Sequence, residues 1–138
     1  MPKVVRFGIS LDEELLKKFD RLIKEKKYTC RSEAFRDLIR RELVQKQWES
    51  GGEIAGAVTL VYNHHKRKLV NKLMDIQHDF GETIISTQHI HLDHNNCLEI
   101  IAVKGSPAKA RQLTDNLAAV KGVKHAALNM STTGKEVP

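Results

Sequence analysis

Cysteine is nearly absent: Cys30 and Cys97 are the only two among 138 residues. Two thiols cannot build the disulfide lattice of small exported domains, so a reducing compartment is expected. Aromatic residues are also scarce, at 5%, which leaves Leu, Ile, Val and Ala to build any core. Long apolar runs are missing. None approaches the roughly 18 residues of a membrane span, and no apolar stretch follows Met1 as a secretory leader would require. A cytoplasmic chain with no membrane partner is expected.

What is present is basic and mixed. Charged residues make up 29% and hydrophobic ones 41%, a composition that can fold. Lys and Arg outnumber Asp and Glu by 23 to 17, for a net charge of +6. The excess leans to the N-terminus, where residues 1–50 hold 13 basic and 9 acidic side chains. Such a balance suits a polyanion, nucleic acid first. The length allows one ordinary domain or two very small ones. Small domains bury little surface alone, so an oligomer is expected.

Residues 3–10 read as a short strand, with Val5, Phe7 and Ile9 on one face and Arg6, Gly8 and Ser10 on the other. Residues 11–27 have a helical period, with Leu15, Phe19 and Leu22 on one stripe. Ser10 and Glu13 have capping-box spacing, and Asp12 is an alternative cap. A second helix is expected over 31–47, carrying Phe35, Leu38, Ile39 and Leu43. Glu49-Ser50-Gly51-Gly52 is the best linker. The domains expected are therefore 1–48 and 54–138, joined by 49–53. In the second, strands over 54–62, 83–92, 97–104 and 123–130 alternate with helices over 65–79 and 107–120. The order β-α-β-β-α-β is that of a ferredoxin-like sandwich, so the fold class is α+β. The tail from Ser131 is expected to be loose.

Most of the chemistry lies in residues 88–99, QHIHLDHNNCLE. On a strand, His89 and His91 share a face. With a loop at 92–96, His91 stands opposite Cys97 and His89 opposite Glu99. Leu98, Ile100 and Ala102 then read as the core set. Two imidazoles and a thiol are expected to converge on the sheet face that the helices leave open. Glu99 is placed to accept the second N–H of His89. His78 follows Val70 and Met74 at i+4 spacing and can reach a neighbouring subunit as a fourth ligand. Thiolate with imidazole suits Zn, Cu or Ni. A His-x-His on a strand is more often plain surface, but Cys97 in matching register favours metal. His64, His65, His94 and His125 read as surface groups.

With the strand RFGIS, the helix LDEELLKKFDRLI and the Arg31-Ser32-Glu33-Ala34 start of the next helix, the N-terminal segment resembles the ribbon-helix-helix repressors. The resemblance implies two copies pairing their strands into a ribbon for the major groove of double-stranded DNA, with Arg6, Gly8 and Ser10 toward base edges. Gly8 departs from the polar side chain usual there. Arg31 and Arg36 lie near the second helix start, whose N–H groups suit phosphate. The whole chain, with His89, His91, Cys97 and a helix His at position 78, resembles the NikR-type nickel-responsive repressors, whose second domain is ACT-like. That resemblance implies one planar Ni(II) per chain, with His78 donated across a tetramer interface. It also implies a dimer of dimers on a palindromic operator, repression of nickel-uptake genes, and a second cation near Glu33 and Asp37.

Three other readings compete. A catalytic metal needs an open position and a base, and four protein donors leave none, so an enzyme is not expected. A sensor of an amino acid leaves His89, His91 and Cys97 without a role. A zinc- or copper-responsive repressor on the same scaffold is the main alternative.

Overall fold

The computed structural model describes residues 2–138. The elements are α1 (Glu13–Glu25), α2 (Arg31–Ser50), β1 (Ile54–Tyr62), α3 (Arg67–Asp79), β2 (Ile84–His91), β3 (Cys97–Gly105), α4 (Pro107–Ala118) and β4 (His125–Met130). Two compact units form, residues 1–39 and 40–138, and the division falls inside α2. No helix among the described residues is long and apolar enough to cross a membrane.

In the first unit Asp12, rather than Ser10, caps α1. Its carboxylate accepts from the backbone N–H of Glu14 at 2.9 Å and of Leu15 at 3.4 Å. Glu13 and Glu14 in the first turn and Lys24 in the last complement the helix dipole. Residues 2–10 carry no strand hydrogen bonds and are exposed. A ribbon needs a neighbouring strand, and one chain offers residues 3–10 none. The consequence is a unit almost without a core. α1 buries nothing, Leu15 and Leu22 are about half exposed at 54% and 50%, and Val5, Phe7, Leu38 and Ile39 are exposed as well. Phe7 meets Phe35 edge-on, with centroids 5.8 Å apart.

The second unit is a four-stranded antiparallel sheet in the order β2-β3-β1-β4. α3 and α4 cover one face, burying Leu69, Leu73, Leu113 and Leu117 against Val58, Leu60, Ile101 and Val103. Ser106 caps α4 by accepting from Lys109 N–H, and Pro107 starts the helix. Gly122, at φ 102°, closes the following turn under Leu69. The last turns of α2 belong to this unit because Trp48 is a core residue, 1% exposed, whose indole N–H donates to the Ser131 carbonyl at 2.9 Å.

The tail is not loose. Thr132 Oγ1 donates to Gln47 Oε1 at 3.0 Å, Arg40 donates to the Pro138 carbonyl at 3.0 Å, and Lys135 pairs with Glu53 at 3.6 Å. Arg40 and Gln47 on α2, and Glu53 just beyond it, supply anchors that the tail's own composition does not reveal.

Candidate metal centre and nucleic-acid surface

Strand register sets the candidate metal-ligating residues side by side. β1, β3 and β2 lie side by side, so Tyr62, Cys97 and His91 form one cross-strand row and Leu60, Glu99 and His89 the next. The hairpin turn fixes that register. Asp93 accepts from Asn95 N–H at 2.9 Å and from Asn96 N–H at 2.8 Å, and Leu92 N–H closes onto the Asn96 carbonyl at 2.9 Å. Lys124 also donates to the Asn96 side-chain carbonyl.

The face differs from the one expected. Cys97 and Glu99 are buried with Ile101 and Val103, while Leu98, Ile100 and Ala102 are only partly buried. His89, His91 and Cys97 therefore stand on the helix-covered side, at its β2 edge, not on the open face. β3 is apolar on both faces, so its alternation does not reveal which side α4 covers. Both histidines are exposed there, whereas Cys97 is 1% exposed.

Glu99 is a buried carboxylate with two donors. Tyr62 Oη donates to Oε2 at 2.6 Å, and Gln77 Nε2 donates to Oε1 at 2.7 Å. His89 Nε2 lies 3.8 Å from Oε1, within ion-pair range but beyond a hydrogen bond. His89 Nδ1 is 3.5 Å from Tyr62 Oη. Burial first, then the bond to Glu99, pushes the Tyr62 phenol well above its ordinary range. Sequence reading missed Tyr62 and Gln77. The available signals were a polar tip ending the buried row Val58, Leu60, Tyr62, and a glutamine beside His78.

The donor set fits a soft divalent metal by chemistry and register: two imidazoles and one thiol, with a carboxylate behind them. Yet among the described residues no three His, Cys, Asp or Glu side chains stand ready to hold one ion. The His91 ring stacks on that of His64 at 4.4 Å and 14°. His78 is exposed on the last turn of α3. His64 and His65 rings are 4.2 Å apart, and His65 Nε2 contacts the His94 carbonyl at 2.7 Å. Burial, then the neighbouring imidazoles, holds His64 below its ordinary pKa.

In the first unit Arg6, Gly8 and Ser10 are exposed, and nothing lies within 4 Å of where a Gly8 Cβ would be. Arg31 forks onto Asp20 through two bonds of 2.9 Å, and Arg36 pairs with Glu33 at 2.6 Å. Tyr28 donates to Asp37.

Comparison with known proteins matches two successive segments of the chain. Residues 5–46 match the family of ribbon-helix-helix proteins of the copG type, and residues 55–131 match the NikR C-terminal nickel-binding domain. The fold and site thus define a transcriptional regulator, not an enzyme, with a ribbon-helix-helix unit and an ACT-like nickel-binding domain. The chain belongs to the family of nickel-responsive regulators. It is 58% identical to a protein of Syntrophus aciditrophicus over 98% of both chains, and 57% identical to one of Chlorobium limicola over 97% of this chain and all of that one. A third relative, from Thermococcus onnurineus, is 48% identical over 98% of this chain and 99% of its own. All three carry the provisional name of nickel-responsive regulator. For the fold alone, an uncharacterized protein of Thermotoga maritima superposes with a TM-score of 0.51 at 17% identity, over 55% of this chain and 94% of that one.

Proposed function

We propose that this protein is a nickel-dependent repressor of nickel-uptake genes, acting in the cytoplasm as a dimer of dimers on a palindromic operator. The observation that carries the reading is the β2–β3 register, which sets His91 opposite Cys97 and His89 opposite Glu99 on one face. His89, His91 and Cys97, with His78 from a second chain, take one Ni(II) per chain. Bound there, nickel supplies bonds that only an assembled pair of subunits completes.

The protein's own residues do the rest. Exposed apolar side chains of residues 5–9, α1 and α2 are covered when two chains pair. Arg6 then reads base edges, with Gly8 allowing close approach and Ser10 beside it. Arg31 and Arg36 lie beside the backbone phosphates, and Arg31 exchanges Asp20 for phosphate on contact. Glu33 and Asp37, one helical turn apart, take the second cation when Arg36 and Tyr28 yield them. A ligand shifts such an equilibrium only by binding one arrangement better than another, and a site shared between subunits does so.

The test is Ni(II) titration of the apo-protein followed by ultraviolet-visible absorption, with Zn(II) and Cu(II) as competitors. A thiolate-to-nickel charge-transfer band saturating at one ion per chain, and lost in Cys97→Ala and His78→Ala, is expected. Tight colourless Zn(II) binding with no such band would replace nickel by zinc as the signal.

A further inference from the structure

We propose that residues 131–135 form a releasable strap across the junction of α2 with the sheet. While the strap is closed, Gly51-Gly52 is a fixed turn; when it opens, the glycine pair becomes a joint. Composition marks 49–53 as a linker, and a linker between two units is ordinarily free to bend. Here it is fastened on both sides. Before it, the buried Trp48 donates its indole N–H to the Ser131 carbonyl at 2.9 Å, and Gln47 accepts from Thr132 at 3.0 Å. Beyond it, Ile54 is buried at the start of β1, and the Glu53 carboxylate lies 3.6 Å from Lys135 and 3.7 Å from Lys104. Ser131 joins the two sides, because its own N–H donates to the Ala55 carbonyl of β1 at 3.0 Å. Gly134, at φ 84°, turns the chain between Thr132 and Lys135, and its N–H donates to Thr132 Oγ1 at 3.1 Å.

The contacts are of two strengths, which is what makes the strap releasable. Lys135 and Glu53 are exposed, so their pair gains little and is screened by salt. Trp48 is a core residue and holds more firmly. Opening therefore begins at Lys135 and Thr132 and is complete only when Trp48 leaves Ser131. The consequence reaches beyond the stability of the second unit. α2 runs unbroken from Arg31 to Ser50, so it begins within the ribbon-helix-helix segment and ends at the strap. With the strap closed, the sheet and residues 40–50 move as one body, and a change in the sheet is passed to α2. With it open, the joint at Gly51-Gly52 absorbs that change. The strap thus sets how tightly the regulatory sheet is coupled to the DNA-binding helix. This goes beyond the nickel reading and holds whichever metal the sheet takes.

The experiment is hydrogen exchange on the metal-free, full-length protein, with acrylamide quenching of Trp48, the chain's one tryptophan. The strap is cut by Thr132→Val with Lys135→Ala. Exchange over residues 40–53 is expected to quicken by about 3–10-fold and quenching to rise, while exchange over β1 and α4 stays as in the parent. Gln47→Ala is expected to add nothing to Thr132→Val, since both remove one bond. Gly52→Ala, which reduces the freedom of the open joint, is expected to slow exchange over 40–53 by about 2–5-fold. Unchanged exchange over 40–53 in the folded strap-cut protein would overturn the proposal. Exchange that quickens equally in β1 and α4 would do so too, since it would mark plain loss of stability. Gly52→Ala without effect would remove the joint. If the strap-cut protein does not fold, a salt titration of the parent decides: exchange over 40–53 must quicken with salt ahead of β1, or the strap is refuted. No metal enters these measurements, so failure of the nickel reading leaves their outcome intact.

Discussion

Replacing Gly56 by alanine is expected to loosen the regulatory unit, and the structure sets the size of the effect. Gly56 lies on β1, between β3 and β4, beneath the Trp48 indole. A Cβ there would stand 2.6 Å from the Asn129 carbonyl oxygen and 3.2 Å from Trp48 Cζ2. The first neighbour is backbone of a paired strand, and the second is a core ring held by its bond to Ser131. Neither moves freely. Overpacking of this kind costs about 1–3 kcal/mol. Reduced freedom of the unfolded chain returns about 0.4–1 kcal/mol. The clash wins by roughly 1–2 kcal/mol, which for a unit of this size lowers Tm by roughly 4–16 °C at fixed protein concentration. Trp48 is the only tryptophan in the chain. Its emission therefore reports on this site, and a shift to longer wavelength in the folded variant is expected. Gly52→Ala, with nothing within 4 Å of its Cβ, is the control and is expected to be neutral or slightly stabilising. A Gly56→Ala protein that melts with the parent and emits at the same wavelength would refute the reasoning.

Three further outcomes are expected. Glu99→Ala orphans the Tyr62 hydroxyl and the Gln77 amide, at about 1–3 kcal/mol for each buried donor left unsatisfied. Denaturant melts check this against the triple variant Tyr62→Phe, Gln77→Met, Glu99→Leu, which orphans no partner and is expected to be the more stable of the two. Asp20 is held below the usual carboxylate range by its hydrogen bond to Arg31. Its contribution is therefore present above the unfolded-state value near 3.9 and lost as pH falls through the lower folded value. Asp20→Asn is expected to flatten that part of the acid-unfolding profile. Deleting residues 132–138 removes the bonds to Gln47, Glu53 and Arg40. Exposed contacts of this kind total roughly 1 kcal/mol, and hydrogen exchange over residues 40–50 is expected to quicken.

Much of the second unit was legible because its signals are local. Val58, Leu60 and Tyr62 alternate, Pro107 marks a helix start, and the Asp93–Asn96 turn sets the register that faces His91 to Cys97. What was not legible depended on distant partners. Both faces of β3 are apolar, so only the seating of α4 shows that Cys97 belongs with Ile101 rather than against Leu98 and Ile100. The role of Gln77 depends on Glu99, 22 residues away. The tail's anchors depend on Gln47 and Arg40, which are 85 and 98 residues from their partners. Patterns of period 2 and 3.6 carry no information about such pairings.

The two units of this chain lack different things, and the proposed assembly supplies both. In the first, residues 2–10 carry no strand hydrogen bonds and α1 buries nothing. Apolar side chains left that exposed favour association by the area they remove from water. The second has His89, His91 and Cys97 in register on one sheet face, with His78 exposed on α3. In the proposed assembly, two chains would complete the first deficit through contacts that need no metal. The second deficit is completed only when a donor arrives from outside the chain, so that contact depends on the ion. On that proposal, pairing of the DNA-reading units would be constitutive and joining of the metal-binding units conditional. This division of labour is what a metal-dependent repressor needs: a DNA-reading surface always present, and an arrangement of those surfaces that nickel selects.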